Sequence, residues 1–314
     1  MNRNVKLIRS ISCIAVVLCH IGLVFPNSIR CLFEFGAEGV RCFFILSGYL
    51  MLFSKELLQG DTFGYYKKRI IRIFPIYYLT ITIYFLMNLA GVFYMPADSS
   101  GFYWFRYYFF FNTSVPSNEL MWINLGGTWT ISYFMLFYLI APALRRILSN
   151  WIRCIVSIIP LIILGAIIIP DGYAEPVKGL YAFVLGMMIF YAINEKRIYE
   201  SIVFMIIIGL LFHLYGLDNP YAYTFFLGCL MIALLSSDRS YIFEVFRPVV
   251  NFVDKHSYTI YLIHGLVLTA ILPEWSKKGV QGAVIVVLFS IILSCIVDAP
   301  INYAISKIRN QKNA

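Results

Sequence analysis

The chain has 314 residues, 61% of them hydrophobic and only 13% charged, with a net charge of +9. Soluble domains carry about 25% charged residues, so this composition excludes an ordinary water-soluble globule. The positive balance alone would suit nucleic acid, but its placement along the chain follows a membrane pattern, and no nucleic-acid partner is expected.

Apolar stretches of helix-spanning length recur from end to end. They fall near residues 5–25, 38–54, 73–94, 128–146, 153–170, 176–194, 200–216, 219–236, 257–273 and 280–305. This predicts an all-α, polytopic transmembrane bundle of about ten spans. With the amino terminus inside, cytoplasmic ends and loops hold most of the basic residues, including Arg3, Lys6, Arg9, Lys67, Lys68, Arg69, Arg72, Arg145, Arg146, Arg153, Arg239, Lys255 and Lys312. The outer side holds Arg30, Arg41, Arg106, Lys178, Lys277 and Lys278. The positive-inside rule then predicts both termini in the cytoplasm. Residues 1–314 read as a single membrane-embedded domain with no appended soluble domain, and no removable signal peptide is expected.

The first stretch carries the most informative pair. Arg9 and His20 stand eleven residues apart. Eleven steps of about 100° end about 20° past three full turns, so both side chains share a face, about 16 Å apart along the axis. Ionisable groups within a span are costly and usually functional. The alternative is that Arg9 anchors the topology and His20 is a hydrogen-bonded core histidine. Cys19 neighbours His20 in sequence but points about 100° away on a helix, which argues against a Cys–His nucleophile. The seven cysteines show no metal or redox spacing and read as packing residues; no metal site is expected.

In the second stretch, Ser47-Gly48 permits close helix approach, and Ser47 reads as packing before it reads as a nucleophile. Lys67, Lys68, Arg69 and Arg72 precede the third stretch. Arg69 and Arg72 share a helix face and suit a phosphate-bearing ligand through paired donors, unless they contact lipid phosphates instead. The aromatic run from Gly101 to Asn112 is too short to span and fits an interfacial or re-entrant segment.

Taken together, these elements resemble the acyltransferase-3 family of integral membrane acyltransferases. The resemblance rests on Arg9 and His20 with ten residues between, Ser47-Gly48-Tyr49-Leu50, and Arg69 and Arg72 followed by Pro75 and Tyr77-Tyr78. It continues through Trp129-Thr130-Ile131-Ser132, Phe137–Pro142, Ser257–His264, and Asp298 with Pro300. Any one motif is weak; their order and spacing over nearly the full length are specific. The chain departs from the family where Phe134 and Met135 replace glutamates, and where Arg41 stands in place of an acidic residue.

The resemblance implies transfer of an acyl group, most often acetyl, from cytoplasmic acyl-coenzyme A to a hydroxyl of a bacterial surface polysaccharide or lipid-linked glycan. The enzyme would be a multi-pass O-acyltransferase of the cytoplasmic membrane. It would need acetyl-coenzyme A as co-substrate and no permanent cofactor, with donor, carbohydrate acceptor and membrane lipid as its partners. Arg9, Arg69 and Arg72 would hold the donor phosphates. His20 would act as general base, since neutral imidazole accepts a proton at working pH; an acyl-histidine relay is the lesser variant. Glu34 and Glu38 are candidate orienters of His20, or solvated loop charges. His264 is a candidate helper, or a hydrogen-bonded structural histidine. A multi-span exporter of small anions or glycan precursors is the alternative, weakened by the lack of inverted halves.

Overall fold

The computed structural model describes residues 3–92, 101–112, 127–169, 175–215, 219–237, 241–275 and 279–310. The described residues form helices and short connections, with no strand among them. Arg239, Lys277, Lys278 and Lys312, which entered the charge pattern above, lie outside them. The helices are α1 (Arg3–Ile21), α2 (Asn27–Glu34), α3 (Glu38–Met51), α4 (Lys55–Leu58), α5 (Thr62–Leu89), α6 (Gly101–Tyr108) and α7 (Thr128–Ile147). They continue as α8 (Trp151–Ile163), α9 (Glu175–Asn194), α10 (Ile198–Leu214), α11 (Asn219–Leu235), α12 (Tyr241–Val245), α13 (Arg247–Trp275) and α14 (Gly279–Asn310).

Among the described residues, four helical segments are long and apolar enough to cross a membrane: Arg3–Val24, Thr62–Leu89, Pro176–Asn194 and Gly279–Tyr303. Shorter apolar helices cover Trp151–Ile163, Ile198–Leu214 and Ala222–Leu235. Two side chains set helix starts. Asp61 Oδ1 accepts from the Gly64 amide at 2.8 Å at the head of α5, and Asn150 Oδ1 accepts from the Arg153 amide at 2.9 Å at the head of α8. Each satisfies a donor that has no partner within its own helix.

The described chain forms two compact units. The first comprises Met1–Ser12, Ala37–Tyr65 and Tyr133–Asp254. At its centre is α9, whose residues Tyr181–Leu185 and Met187–Ile189 are at most 1% exposed. A helix apolar on every side belongs in the middle of a bundle. Its approach to α3 is set by glycine. A Cβ on Gly48 would lie 1.8 Å from the Phe183 carbonyl oxygen, and one on Gly186 would lie 1.8 Å from that of Ile45. The two backbones therefore touch at reciprocal points, as small residues allow in membrane helices. Beside them Phe44 packs on Phe134 and Phe137, with ring centroids 4.7 and 5.5 Å away.

The second unit comprises Cys13–Gly36, Tyr66–Ser132 and Lys255–Ala314. Its aromatic segment forms the eight-residue helix α6, far short of a span. Two α5 hydroxyls tie that helix down at its carbonyl end: Tyr77 donates to the Tyr107 carbonyl at 2.8 Å and Tyr78 to that of Tyr108 at 3.1 Å. Gly36 meets α1 so closely that a Cβ would lie 2.1 Å from the Ala15 carbonyl oxygen.

The α3–α9 contact predicts a sharp contrast between adjacent residues. Gly48→Ala must push two backbones apart and should cost about 1–3 kcal/mol. Ser47→Ala should leave stability within about 0.5 kcal/mol. Thermal unfolding of the detergent-solubilised protein measures both; equal effects would reject the close-approach reading.

Candidate functional site

The site is built on α1 and α13, which lie side by side in parallel within each unit. In the first unit, Lys6 Nζ donates to Asn251 Oδ1 at 2.8 Å, and Arg9 Nη1 donates to Asp254 Oδ1 at 2.6 Å. In the second, Cys13 Sγ approaches the Ser257 carbonyl at 3.4 Å, and His20 Nδ1 meets His264 Nε2 at 2.7 Å. Partners advance together along both helices, which defines the parallel direction.

The two imidazoles form the chemical centre of the second unit. Their planes differ by 13° and their centroids lie 5.0 Å apart. That separation equals the nitrogen–nitrogen distance plus one ring radius at each end. The rings therefore meet edge to edge, close to a common plane, as an in-line hydrogen bond requires. His264 is 1% exposed, and its Nδ1 lies 3.1 Å from the Ile260 carbonyl. A carbonyl can only accept, so Nδ1 of His264 carries a proton. In neutral imidazole Nε2 then holds the lone pair. His20 Nδ1 must donate to it, which leaves Nε2 of His20 as the bare, basic nitrogen. One backbone carbonyl thus sets the tautomer of both rings.

A small enclosed pocket adjoins the pair, lined by His20, Tyr84, Thr128, Tyr261 and His264 with Gly127 and Gly265. Its volume is about 10 Å³, room for about one water molecule. Gly265 is needed at this wall: a Cβ there would lie 2.8 Å from the Tyr84 hydroxyl. Hydrogen bonds fix the polar groups behind the wall. Thr130 Oγ1 donates to the Gly127 carbonyl at 2.9 Å and meets the Tyr261 hydroxyl at 2.8 Å. Asn112 Nδ2 donates to Thr128 Oγ1 at 2.9 Å, and Ser132 donates to Asn112 Oδ1 at 2.5 Å.

The other residues singled out in the sequence are distributed as follows. Arg9 is mostly buried in its ion pair with Asp254, each side chain 12% exposed. Arg69 and Arg72 lie one turn apart on α5, Arg69 half-buried and Arg72 exposed. Glu34 ends α2 with its side chain exposed, while its backbone carbonyl faces Cys19 Sγ at 3.8 Å. Glu38 is buried in the first unit and ion-paired to Arg41 on the same helix. Ser47 is half-buried, with the Tyr138 hydroxyl 3.5 Å away. Asp298 is 4% exposed and takes two partners: His256 Nδ1 at 2.5 Å and the Thr259 hydroxyl at 2.5 Å.

Thr128 and Asn112 were not predicted from sequence. Thr128 directly precedes the Trp129-Thr130 motif, a proximity that could have flagged it. Asn112 closes an aromatic run and gives no comparable signal. His256 was also passed over; its position two turns before His264 on one helix was the available clue.

Residues 2–299 match the acyltransferase domain family known as acyltransferase-3, and the chain belongs to that family. Among curated relatives, it is 29% identical to the exopolysaccharide production protein ExoZ of Rhizobium meliloti (strain 1021) over 164 residues, 50% of this chain and 51% of ExoZ. It is 26% identical over 281 residues to ORF330 of Acidianus two-tailed virus, provisionally named an acetyltransferase, covering 82% of this chain and 80% of that protein. The match to ExoZ thus spans about half of that relative's length. No solved structure matches the chain.

Two predictions come from this geometry. Nitrogen NMR of histidine-labelled protein should show His20 protonated at Nδ1 and bare at Nε2. His264→Phe, which removes the acceptor, should abolish that single-tautomer signature; an unchanged His20 spectrum would reject the assignment. Arg9→Ala should destabilise the protein by about 3 kcal/mol, because it leaves Asp254 mostly buried without its counter-charge. The Arg9→Ala/Asp254→Ala double variant should recover part of that loss in chemical unfolding.

Proposed function

We propose that the protein transfers an acyl group, acetyl in the first place, from acyl-coenzyme A to a hydroxyl of a cell-surface polysaccharide or lipid-linked glycan. The observation that carries this reading is the His20–His264 pair, whose hydrogen bonding leaves a basic nitrogen beside a polar pocket. Membership of an acyltransferase family and the names of ExoZ and ORF330 support the reaction class and the glycan acceptor.

The chemistry runs on His20. Its Nε2 takes the proton of the acceptor hydroxyl as the oxygen attacks the thioester carbonyl carbon. The carbon–oxygen bond forms and the carbonyl electron pair moves onto its oxygen. Collapse breaks the carbon–sulfur bond, and the departing thiolate takes the proton back from His20. His264 does not touch the reactants in this scheme; it holds His20 in the required tautomer through its own bond to Ile260. Both reactants are larger than the water-sized pocket, so the walls around Tyr84, Leu262 and Leu268 must part on binding.

Arg69 and Arg72 are the donor-phosphate residues in this reading, a turn apart and accessible on α5. Arg9, paired with Asp254, is the third donor-binding residue of this reading; a guanidinium carries five N–H donors and the ion pair engages it through Nη1. The protein sits in the bacterial cytoplasmic membrane as one domain of about ten spans with both termini inside. The parallel course of α1 and α13 accords with an even number of crossings from the start of one to the start of the other.

Purified protein should release free thiol from acetyl-coenzyme A when given surface polysaccharide of the producing cell. His20→Ala should abolish that release while the protein stays folded. Arg69→Ala and Arg72→Ala should each raise the donor KM about 10-fold or more, the scale of a lost charged hydrogen bond. Thiol release by His20→Ala at the wild-type rate would reject the base. Transport of labelled substrate into vesicles without thiol release would replace the enzyme with an exporter.

A further inference from the structure

A second cavity lies within the second unit, between α5, α13 and α14. Its volume is about 590 Å³, within the range of ligand sites. Its lining follows one stripe on each helix: Leu79 to Met87 on α5, Ile263 to Ala270 on α13 and Ile285 to Val297 on α14. Residues in each stripe recur at three- and four-residue steps, so each keeps to one helix face. The α5 and α14 stripes run for about 12 and about 18 Å along their axes. The cavity is therefore a trough laid lengthwise between helices. Half of a bilayer's hydrocarbon core is about 15 Å deep, so the trough matches the reach of a chain within one leaflet. We propose that it binds one acyl chain of a membrane phospholipid. Binding there requires nothing of the acyl-transfer chemistry.

The walls admit hydrocarbon and little else. Among the described lining residues only Thr80 carries a polar side chain, and its hydroxyl donates to the Ile76 carbonyl at 2.8 Å, within its own helix. An ordered water needs two to four polar partners, and a sugar or a phosphate needs more. The trough supplies no such set. Its rim is open: Leu79, Phe289 and Leu293 are 41%, 52% and 37% exposed.

The opening is continuous with the lipid-facing side of α14. The lining stripe on that helix sits between two others, each one residue and about 100° away. On one side Leu288, Ile292 and Ile296 are exposed; on the other Ser290, Ser294 and Asp298 are buried. Both α5 and α14 contain segments long and apolar enough to cross a membrane, so the exposed apolar side meets bilayer chains and the trough is an inlet from it. With no polar group to read a head group, the trough selects on the chain alone. Mass action then favours the commonest long chain at that depth, that of bilayer phospholipid. The trough also backs the His20 pocket. Tyr84 and His264 line the pocket, while their neighbours Ile83 and Ile263 line the trough. A chain seated there would fill space behind the pocket wall.

The test uses the full chain, extracted and washed in a mild detergent. Native mass spectrometry should show the folded protein carrying one phospholipid. Ala270→Phe fills the trough from α13 and Ile285→Phe from α14, and each should remove that adduct. Leu288→Phe adds similar bulk on the exposed side of α14 and should keep it. Adding dioleoyl phosphatidylcholine or dioleoyl phosphatidylglycerol to lipid-stripped wild type should raise Tm equally, by about 3 °C or more. The dihexanoyl lipids should not, and the two trough-filled variants should not respond. A further measurement needs no variant: a phospholipid with a photoreactive acyl chain, retained through washing, should label trough residues and spare Leu288 and Ile292. Equal phospholipid retention by wild type and both trough-filled variants would overturn the assignment. So would even labelling of trough and outer face, stabilisation by one head group only, or an isoprenoid-linked glycan held in place of phospholipid. Loss of acetyl-coenzyme A cleavage in His20→Ala with the phospholipid still bound would keep the two sites distinct.

Discussion

In the proposed reaction, catalysis depends on one hydrogen bond between two imidazoles, and on the carbonyl that decides its direction. A histidine in an apolar bundle has two nitrogens and one proton, and either tautomer is accessible until something chooses. Here the Ile260 carbonyl chooses for His264, and His264 chooses for His20. The carbonyl belongs to the preceding turn of the same helix, so the choice is imposed by secondary structure. It does not depend on a mobile side chain.

The same principle recurs at other buried polar groups in the second unit. Asp298 lies on an apolar helix but accepts from both His256 and Thr259. The Tyr258 hydroxyl donates to the Ile73 carbonyl at 3.0 Å, which ties α13 to α5. Unsatisfied polar groups are costly away from water, so the partners of Asp298 and Tyr258 act as geometric constraints between helices. In the first unit glycine also sets how closely helices approach. Gly48 and Gly186 remove side chains so that backbones touch, and the large rings of Phe44, Phe134 and Phe137 fill the space beside them.

The helical class was readable from apolar run length, and His20 from its place on a face shared with Arg9. Both are local properties, fixed within one helix. What the sequence concealed is pairing over distance. His264 was visible as a histidine in a late apolar stretch, but nothing local indicates that it meets His20 at a separation of 244 residues. The same holds for Arg9: its charge suggested phosphate, while its contact with Asp254 depends on how α13 lies against α1. Glu38 was a candidate orienter of His20 from its place on the outer side next to the second span, and its pairing with Arg41, one turn further along its own helix, is a contact that the charge pattern alone did not single out. Thr128 escaped notice although it directly precedes the Trp129-Thr130 motif, because its contact with Asn112 joins residues sixteen apart.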